Sequence, residues 1–489
     1  MKNLQIILLV LISFTCTLNT FSQDKKFIHQ LWESYPDYIE NSLKHRRIKH
    51  ADIIPLIAKL KDNDRFKVQK VGESIEGRDL FLISTGEGDI DVFLWSQMHG
   101  DESTATMALF DIFNFLNSER FAVENKDLLS RLNLHFLPML NPDGAEVFQR
   151  RNALGIDVNR DALRLQSPEA KTLKRIRDSL DADFGFNLHD QSKYYNAETT
   201  DKPATISFLA PAYNYEKEVN EVRGNAMKLI VSMNRDLQQF IPGQVAKYND
   251  DFEPRAFGDN IQKWGTSAIL IESGGNFNDP EKQEIRKLNF VTILSALRSI
   301  SNASYEKETL EDYQKIPEND SKLFDLKLTG LEYDLHGEKY ILDLGINHHE
   351  VPSGNSYYYR SQIADQGDLS TNFGYSGLDL SGYKILFGKI HPKIFNTVSE
   401  VEKLEPGSIL SQGYSYVRVR TLPGKKNFIN LPVNIVRENF KTPTRINVGG
   451  NPNFFLSKNG NIRYAIINGF LIDLVKFDPH AVKNALIIR

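Results

Sequence analysis

Cysteine is the scarcest residue here: the chain has 1, at position 16, inside its first two dozen residues. Once that segment is removed no thiol is left, which excludes a disulfide framework, a cysteine nucleophile and a thiolate metal site. Neither sign of charge prevails, with 59 Lys and Arg against 63 Asp and Glu and a net charge of −4. There is therefore no basic footprint for nucleic acid and none for an anionic membrane surface. Beyond the N-terminus no apolar run approaches the roughly 20 residues that a membrane span needs. Repeats and low-complexity tracts are also missing.

The N-terminus itself is the exception. Residues 1–23 carry Lys2, an apolar core from Ile6 to Ile12 and a small polar exit at Ser22-Gln23. This order reads as a secretory signal, with an apolar core too short for a membrane anchor. Cys16 lacks a small residue before it, so lipidation is not favoured. The expectation is an exported protein, periplasmic or extracellular, of about 465 mature residues, enough for two or three domains.

Residues 26–62 have helical periodicity (Phe27, Leu31, Trp32, then Ile53, Leu56, Ile57, Leu60), with His45-Arg46-Arg47 read as a solvated basic face. That segment is either a short pro-region or part of the fold. Alternating residues on either side of Glu76-Gly77 predict a hairpin, and Val92-Phe93-Leu94-Trp95 predict a strand covered on both faces. Helices follow at 104–116, after Ser167-Pro168, at 216–240 and at 280–300, separated by strands at 132–140, 184–188 and 268–271. Such alternation predicts an α/β fold, a mixed and mostly parallel sheet with helices on both faces. Ligands in such sheets sit outside the carboxyl ends of the strands.

Four strand ends carry polar residues to that rim: His99 and Glu102, Asn141, His189, and Glu272. A lone His-x-x-Glu is weak, since chance supplies roughly one in a chain of this composition. Two imidazoles and a carboxylate converging from separate strands form a catalytic zinc ligand set with an open fourth position. Glu272, at the end of an apolar strand before Ser273-Gly274-Gly275, is then placed to act as general base on the metal-activated water.

Several motifs in one order resemble the carboxypeptidase A/B-type zinc carboxypeptidases over about residues 65–300. They are Ser74-Ile75-Glu76-Gly77-Arg78, His99-Gly100-Asp101-Glu102, Asn141-Pro142-Asp143-Gly144, the run from Arg150 to Arg160, Leu188-His189-Asp190 and Leu270-Ile271-Glu272. The resemblance implies one Zn2+ on His99, Glu102 and His189, with Glu272 as base. It implies that Asn159 and Arg160 clamp the carboxylate of a peptide or peptide-like substrate with a free C-terminus, the fork of the guanidinium suiting a carboxylate. Arg150 would stabilise the oxyanion, with Arg151 as the fallback, and Asp157 would hold the second nitrogen of His99. Tyr248 would cover the substrate, in competition with Tyr213 and Tyr215. Arg255 falls near the side-chain pocket and suggests an acidic C-terminal residue, unless it pairs with Glu253 or Asp251.

Asp161-Ala162 and Asp190 depart from the usual pattern and are read as altered pocket walls. The charged stretch 303–322 reads as a linker between a catalytic domain at 24–302 and a β-sandwich or barrel-like domain at 323–489, whose short strands are separated by turns such as Ser353-Gly354-Asn355. Asn347-His348-His349-Glu350 is not a second metal site, because neighbouring residues on a strand face opposite ways. His135 reads as a satisfied core residue. The function read from this is a secreted metallocarboxypeptidase; the alternatives are an amidase or deacylase of small acylated amino acids on the same scaffold, and a binding protein without catalysis.

Overall fold

The computed structural model describes residues 25–354 and 356–489. The secretory signal, Cys16 and Asn355 lie outside the described residues. The chain divides into two compact units, Met1–Ser321 and Lys322–Arg489.

In the first unit the strands are β1 (Lys67–Glu73), β2 (Asp79–Thr85), β3 (Ile90–Ser96), β4 (Leu132–Leu137), β5 (Phe184–Asp190), β6 (Asn196–Ala197), β7 (Ile206–Leu209), β8 (Val245–Lys247), β9 (Ser267–Ser273) and β10 (Asn319–Asp320). Eight of them form one sheet in the order β1-β2-β4-β3-β5-β9-β7-β8. Its centre, β4-β3-β5-β9, is parallel throughout, while β1, β2 and the β7 to β9 pairing are antiparallel. The sheet is therefore mixed, and all four central strands end at the same rim.

The alternation in β3 explains why helices cover both faces. Val92 and Leu94 enter one apolar layer together with helices Thr104–Leu116, Glu221–Leu237 and Gln283–Ser301. Phe93 and Trp95 enter the opposite layer with helices Pro168–Leu180 and Phe257–Lys263. Each such side chain is fully buried, a gain of roughly 1.5–3 kcal/mol apiece. Ser167 caps the helix that follows it by accepting a hydrogen bond from the Ala170 amide, as its place before Pro168 predicted.

Residues 25–62 belong to the core rather than standing apart from it. Tyr35, Tyr38, Leu43 and Ile48 are buried in the main apolar layer. Arg286 and Asp111, both inaccessible to solvent, form a two-pronged ion pair that also gathers this segment. The Tyr35 hydroxyl (2.9 Å) and the Glu40 amide (2.7 Å) donate to Asp111, while Arg286 donates to the carbonyls of Leu43 and Glu40. Arg46 and Arg47 do not form a solvated face: both guanidinium groups lie over the Phe148 ring, since a delocalised cation packs well on an aromatic.

The stretch 303–321 is not a free linker. Tyr305, Tyr313 and Ile316 anchor it in the core, and β10 pairs antiparallel with β6. Three buried apolar residues and this pairing dock a stretch whose charged composition hides them.

The second unit is β-rich. An 8-stranded sheet contains the long strands Leu323–Leu335, Glu338–Ser353 and Ser356–Gly367, and a 5-stranded sheet contains Tyr414–Val419, Asn434–Val436 and Ala485–Ile488. Phe455 and Ala465 of the first sheet share an apolar layer with Val417 and Ile435 of the second. His348 accepts or donates at 2.6 Å to the Ser361 hydroxyl and stacks on Phe470. No helix among the described residues is long and apolar enough to cross a membrane.

Candidate metal and catalytic site

Immediately beyond β3, Gln97 takes the left-handed backbone conformation (φ 51°), and Met139 does so beyond β4 (φ 54°). Non-glycine residues adopt it at a cost, and such positions gather at functional sites. The two turns are joined, the amides of Leu140 and Asn141 donating to the carbonyls of Ser96 and Gln97. Gly100 and Gly144 meet backbone to backbone: a Cβ on Gly100 would lie 2.0 Å from the Gly144 carbonyl carbon, so only glycine fits. Asp143 then receives Ser74 (2.6 Å), the Glu76 amide (3.0 Å) and Arg78 (2.7 Å), binding the hairpin motif to the Asn-Pro-Asp-Gly motif.

These turns deliver His99 and Glu102 to the rim, and β5 pairs with β9 in a register that sets His189 beside Glu272. His99, Glu102 and His189 are buried and offer ligand atoms all within 4.8 Å of one another. The two Nδ1 atoms are 3.2 Å apart, and Glu102 lies 2.8 Å from His99 Nδ1 and 2.7 Å from His189 Nδ1. Asp157 lies 3.1 Å from His99 Nε2, which keeps a proton there, so Nδ1 is the nitrogen left to bind a metal once its own proton is displaced. A tetrahedral zinc with bonds of about 2.0–2.1 Å holds its ligand atoms roughly 3.3 Å apart, so the donor set fits the ion in type and spacing.

The electrostatics also favour a cation. Burial alone would depress the pKa of His99, but the charge of Glu102 and the hydrogen bonds to Asp157 and Glu102 raise it to about 9. Burial would raise Glu102, yet the two imidazoles hold it well below the carboxylate range. His189 is depressed, chiefly by burial. Burial opposes ionisation of Asp157 as well, but hydrogen bonds and charge from His99 and Arg150 hold its carboxyl low.

Arg150 reaches this centre: its Nη1 is 3.1 Å from His99 Nδ1 and 3.3 Å from Glu102, and its Nε donates to Asp157 at 3.0 Å. Arg151 points away and donates to the Gly155 carbonyl. Oε2 of Glu272 is buried without a hydrogen-bond partner among the described residues, and burial, then the charge of Glu102, push its pKa well above the usual value. Asn159 accepts from the Phe257 amide at 2.9 Å, which leaves its NH2 as the outward donor. Arg160 donates to its neighbour's carbonyl and sits 3.4 Å from Glu253.

Two expectations change, and a third resolves to its alternative. Arg255 takes the pairing the sequence offered, closed on Glu253 by two hydrogen bonds of 2.9 and 2.8 Å, because a carboxylate two residues upstream on the same turn meets its fork. Asp190 is not a pocket wall: its side chain is buried and accepts from Thr104 (2.6 Å) and Lys282 (3.1 Å), and its amide donates to Glu102. Asp161 is likewise buried, capping the amides of Gln166 and Ser167. Of the three tyrosines, Tyr248 lies within the field of Glu272 and Arg150, half-buried against Tyr195 and raised chiefly by burial. Tyr213 bonds Glu218 and Tyr215 packs on Phe252.

Thr104, Lys282 and Tyr195 were not legible as site neighbours, since they come from three distant stretches; Glu253 was, as the partner the sequence offered Arg255.

Residues 54–228 match the family model described as zinc carboxypeptidase. The match includes His99, Glu102, Arg150, Asp157, Asn159, Arg160 and His189 and stops before Tyr248, Arg255 and Glu272. Among curated relatives, carboxypeptidase SOL1 of Arabidopsis thaliana is 28% identical over 180 residues, covering 30% of this chain and 36% of that protein. The human carboxypeptidase N catalytic chain is 29% identical over 116 residues, covering 19% of this chain and 25% of its own. The chain thus spans about a third or less of the length of these relatives. A metallo-carboxypeptidase structure from Burkholderia cenocepacia aligns at TM-score 0.43 and 16% identity, covering 52% of this chain and 69% of that one. Over residues 54–228 this chain is thus similar to the zinc carboxypeptidases, and His99, Glu102 and His189 are the residues that could hold the ion.

Proposed function

We propose that this protein is an exported zinc-dependent carboxypeptidase that hydrolyses the C-terminal peptide bond of a peptide. The observation that carries the reading is the meeting, in one buried centre, of His99, Glu102 and His189 with the unpartnered carboxylate of Glu272 beside them.

A zinc ion held by His99, Glu102 and His189 would supply a Lewis acid and lower the pKa of water. Glu272 takes the proton of the attacking water and returns it to the leaving amine. A carboxylate whose pKa is raised by burial is the stronger proton acceptor for the first transfer and holds the proton for the second. Arg150, held by Asp157 on one edge and 43% exposed, turns its remaining N–H groups to the developing oxyanion. Asn159 and Arg160 receive the terminal carboxylate, which takes the place Glu253 holds beside Arg160. Tyr248 covers the substrate. With Arg255 already balanced by Glu253, a preference for acidic C-terminal residues is not part of this reading.

Metal analysis followed by digestion of a peptide library tests the reading. Zinc at one equivalent, release of single C-terminal amino acids, loss with a chelator and return with zinc are expected. Glu272→Gln should keep the zinc and lose turnover. A zinc-loaded protein that cleaves no amide would overturn the proposal in favour of a binding role, and release of an acyl group from N-acylated amino acids alone would replace it with the deacylase.

A further inference from the structure

Glu272 is held differently from the residues around it. The ring of His99 is held by Asp157, whereas Oε2 of Glu272 is buried without a hydrogen-bond partner among the described residues. Burial and charge, not hydrogen bonds, act most strongly on its carboxyl. Where the base stands therefore depends chiefly on where the end of β9 stands.

That end is tied by one side chain from outside the sheet. β5 and β9 run parallel, with His189 opposite Glu272 and Asp190 opposite Ser273. The Ser273 carbonyl accepts from the Gln191 amide (3.0 Å) and from Lys282 Nζ (2.8 Å). The same ammonium donates to Oδ2 of Asp190 (3.1 Å), which also takes the Thr104 hydroxyl (2.6 Å). Lys282 thus grips the residue after the base and the residue after His189. Through Asp190 the hold extends to Thr104, two residues beyond Glu102. One ammonium gathers the three stretches that supply the base and two of the metal-ligand candidates.

The grip is built into the fold. Lys282 stands just before the helix Gln283–Ser301 in the left-handed conformation (φ 53°), at a cost for a residue other than glycine. The helix start does not need it as a cap: Asp279 accepts from the amides of Gln283 (2.7 Å), Glu284 (3.0 Å) and Ile285 (3.1 Å). What the turn at Lys282 achieves is to send a long side chain inward, where it is 12% exposed beside an Asp190 side chain that is 8% exposed. Neutral or apolar replacement of both members of a buried ion pair is often without cost to stability. This pair adds directed hydrogen bonds to two strand ends, one of which carries the base.

We propose that Lys282 is a positioning residue for the general base: by holding the Ser273 carbonyl and Asp190 together, it fixes Glu272 beside His189 without touching the substrate. The proposal rests on the carboxypeptidase reading and deepens it, since Lys282 acts through Glu272. A displacement of about 1 Å in a reacting group can cost on the order of 100-fold in rate.

Lys282→Met keeps the stem and removes both hydrogen bonds. On one peptide its kcat should fall about 10- to 100-fold while KM stays within about threefold of wild type and zinc remains at one equivalent. Lys282→Arg retains donors for both acceptors and should recover most of the lost kcat. Because Lys282→Met leaves a buried carboxylate without its cation, the double variant Asp190→Asn with Lys282→Met protects the test against loss of the fold. It should melt within about 3 °C of wild type and show the same fall in kcat. Hydrogen exchange of the segments 188–192 and 270–275, followed by mass spectrometry in the metal-free protein, should be about tenfold faster in the double variant. A double variant with the kcat of wild type overturns the proposal, as does unchanged exchange in both segments, or a rise in KM that accounts for the whole loss of kcat/KM. The two readings separate: wild type that cleaves peptides alongside an equally fast double variant removes Lys282 alone, while wild type that cleaves no amide, with faster exchange in the double variant, removes the carboxypeptidase and leaves the hold on the strand ends.

Discussion

Asp157 does two jobs with two oxygens, and two substitutions can divide them. Its Oδ1 takes His99 Nε2 at 3.1 Å and the Asn159 amide at 3.0 Å, and its Oδ2 takes Arg150 Nε at 3.0 Å. Asp157→Ala removes both. His99 then loses the partner that fixes its proton on Nε2, and a ligand imidazole without such a partner typically costs 10- to 100-fold in metal affinity. That is about 1.4–2.7 kcal/mol. Asp157→Asn retains an acceptor where Oδ1 stands, so the tautomer and the Asn159 amide stay satisfied, but its NH2 meets the Arg150 Nε–H donor to donor. Zinc affinity should therefore fall no more than about threefold, while kcat/KM falls about tenfold or more because Arg150 is released. Competition with a zinc-binding dye at pH 7.5 gives the affinities, and steady-state kinetics on one peptide gives the second number. Asp157→Ala within about twofold of wild type in zinc affinity, or Asp157→Asn as weak as Asp157→Ala, would refute the reasoning.

The His99 pKa of about 9 in the metal-free protein means that zinc must displace a proton. Apparent zinc affinity should climb about tenfold per pH unit up to about pH 9 and level off above it, and a flat profile between pH 6.5 and 8.5 would contradict the arrangement. Conversely, the protonated His99 contributes stability to the metal-free protein that is fully present below about pH 6.5 and lost as pH rises through about 9. Asp259 is raised by burial to about 7, so its contribution is complete below about pH 3.9 and is lost as pH rises through 7, at most about 4 kcal/mol. Asp259→Asn should thus narrow the loss of melting temperature between pH 5 and 8; an unchanged pH dependence would count against the assignment. Arg286→Met leaves Asp111 buried and uncompensated, which should cost about 3–5 kcal/mol in urea unfolding, and a loss under about 1 kcal/mol would show that the pair does not hold residues 35–43.

Sequence alone determined the framework and the metal centre for a physical reason. A strand covered on both faces must be apolar throughout, so Val92-Phe93-Leu94-Trp95 and Ala268-Ile269-Leu270-Ile271 announce themselves, and the first polar residue after each marks the rim. Glycines that admit no side chain, such as Gly100 against Gly144, leave a similar mark in the motifs. The helix edges were less legible: the stretch 216–240 is helical only over Glu221–Leu237, where Asn220 caps it, because a cap competes with the apolar pattern in setting the boundary.

Tertiary structure alone decided which partner each polar side chain keeps. Arg150 and Arg151 are adjacent and identical in type, yet one reaches Glu102 and the other a loop carbonyl. Arg255 had a carboxylate close in sequence and took it, whereas Lys282 crosses from the start of its helix to Asp190, 92 positions away. Docking of 303–321 rests on Tyr305, Tyr313 and Ile316 together with the pairing of β10 and β6, contacts that a charged stretch with so few apolar residues does not announce. Periodicity records only which face of an element is buried; pairing between elements depends on distances that the fold creates, and the hold of Lys282 on the ends of β5 and β9 is such a pairing.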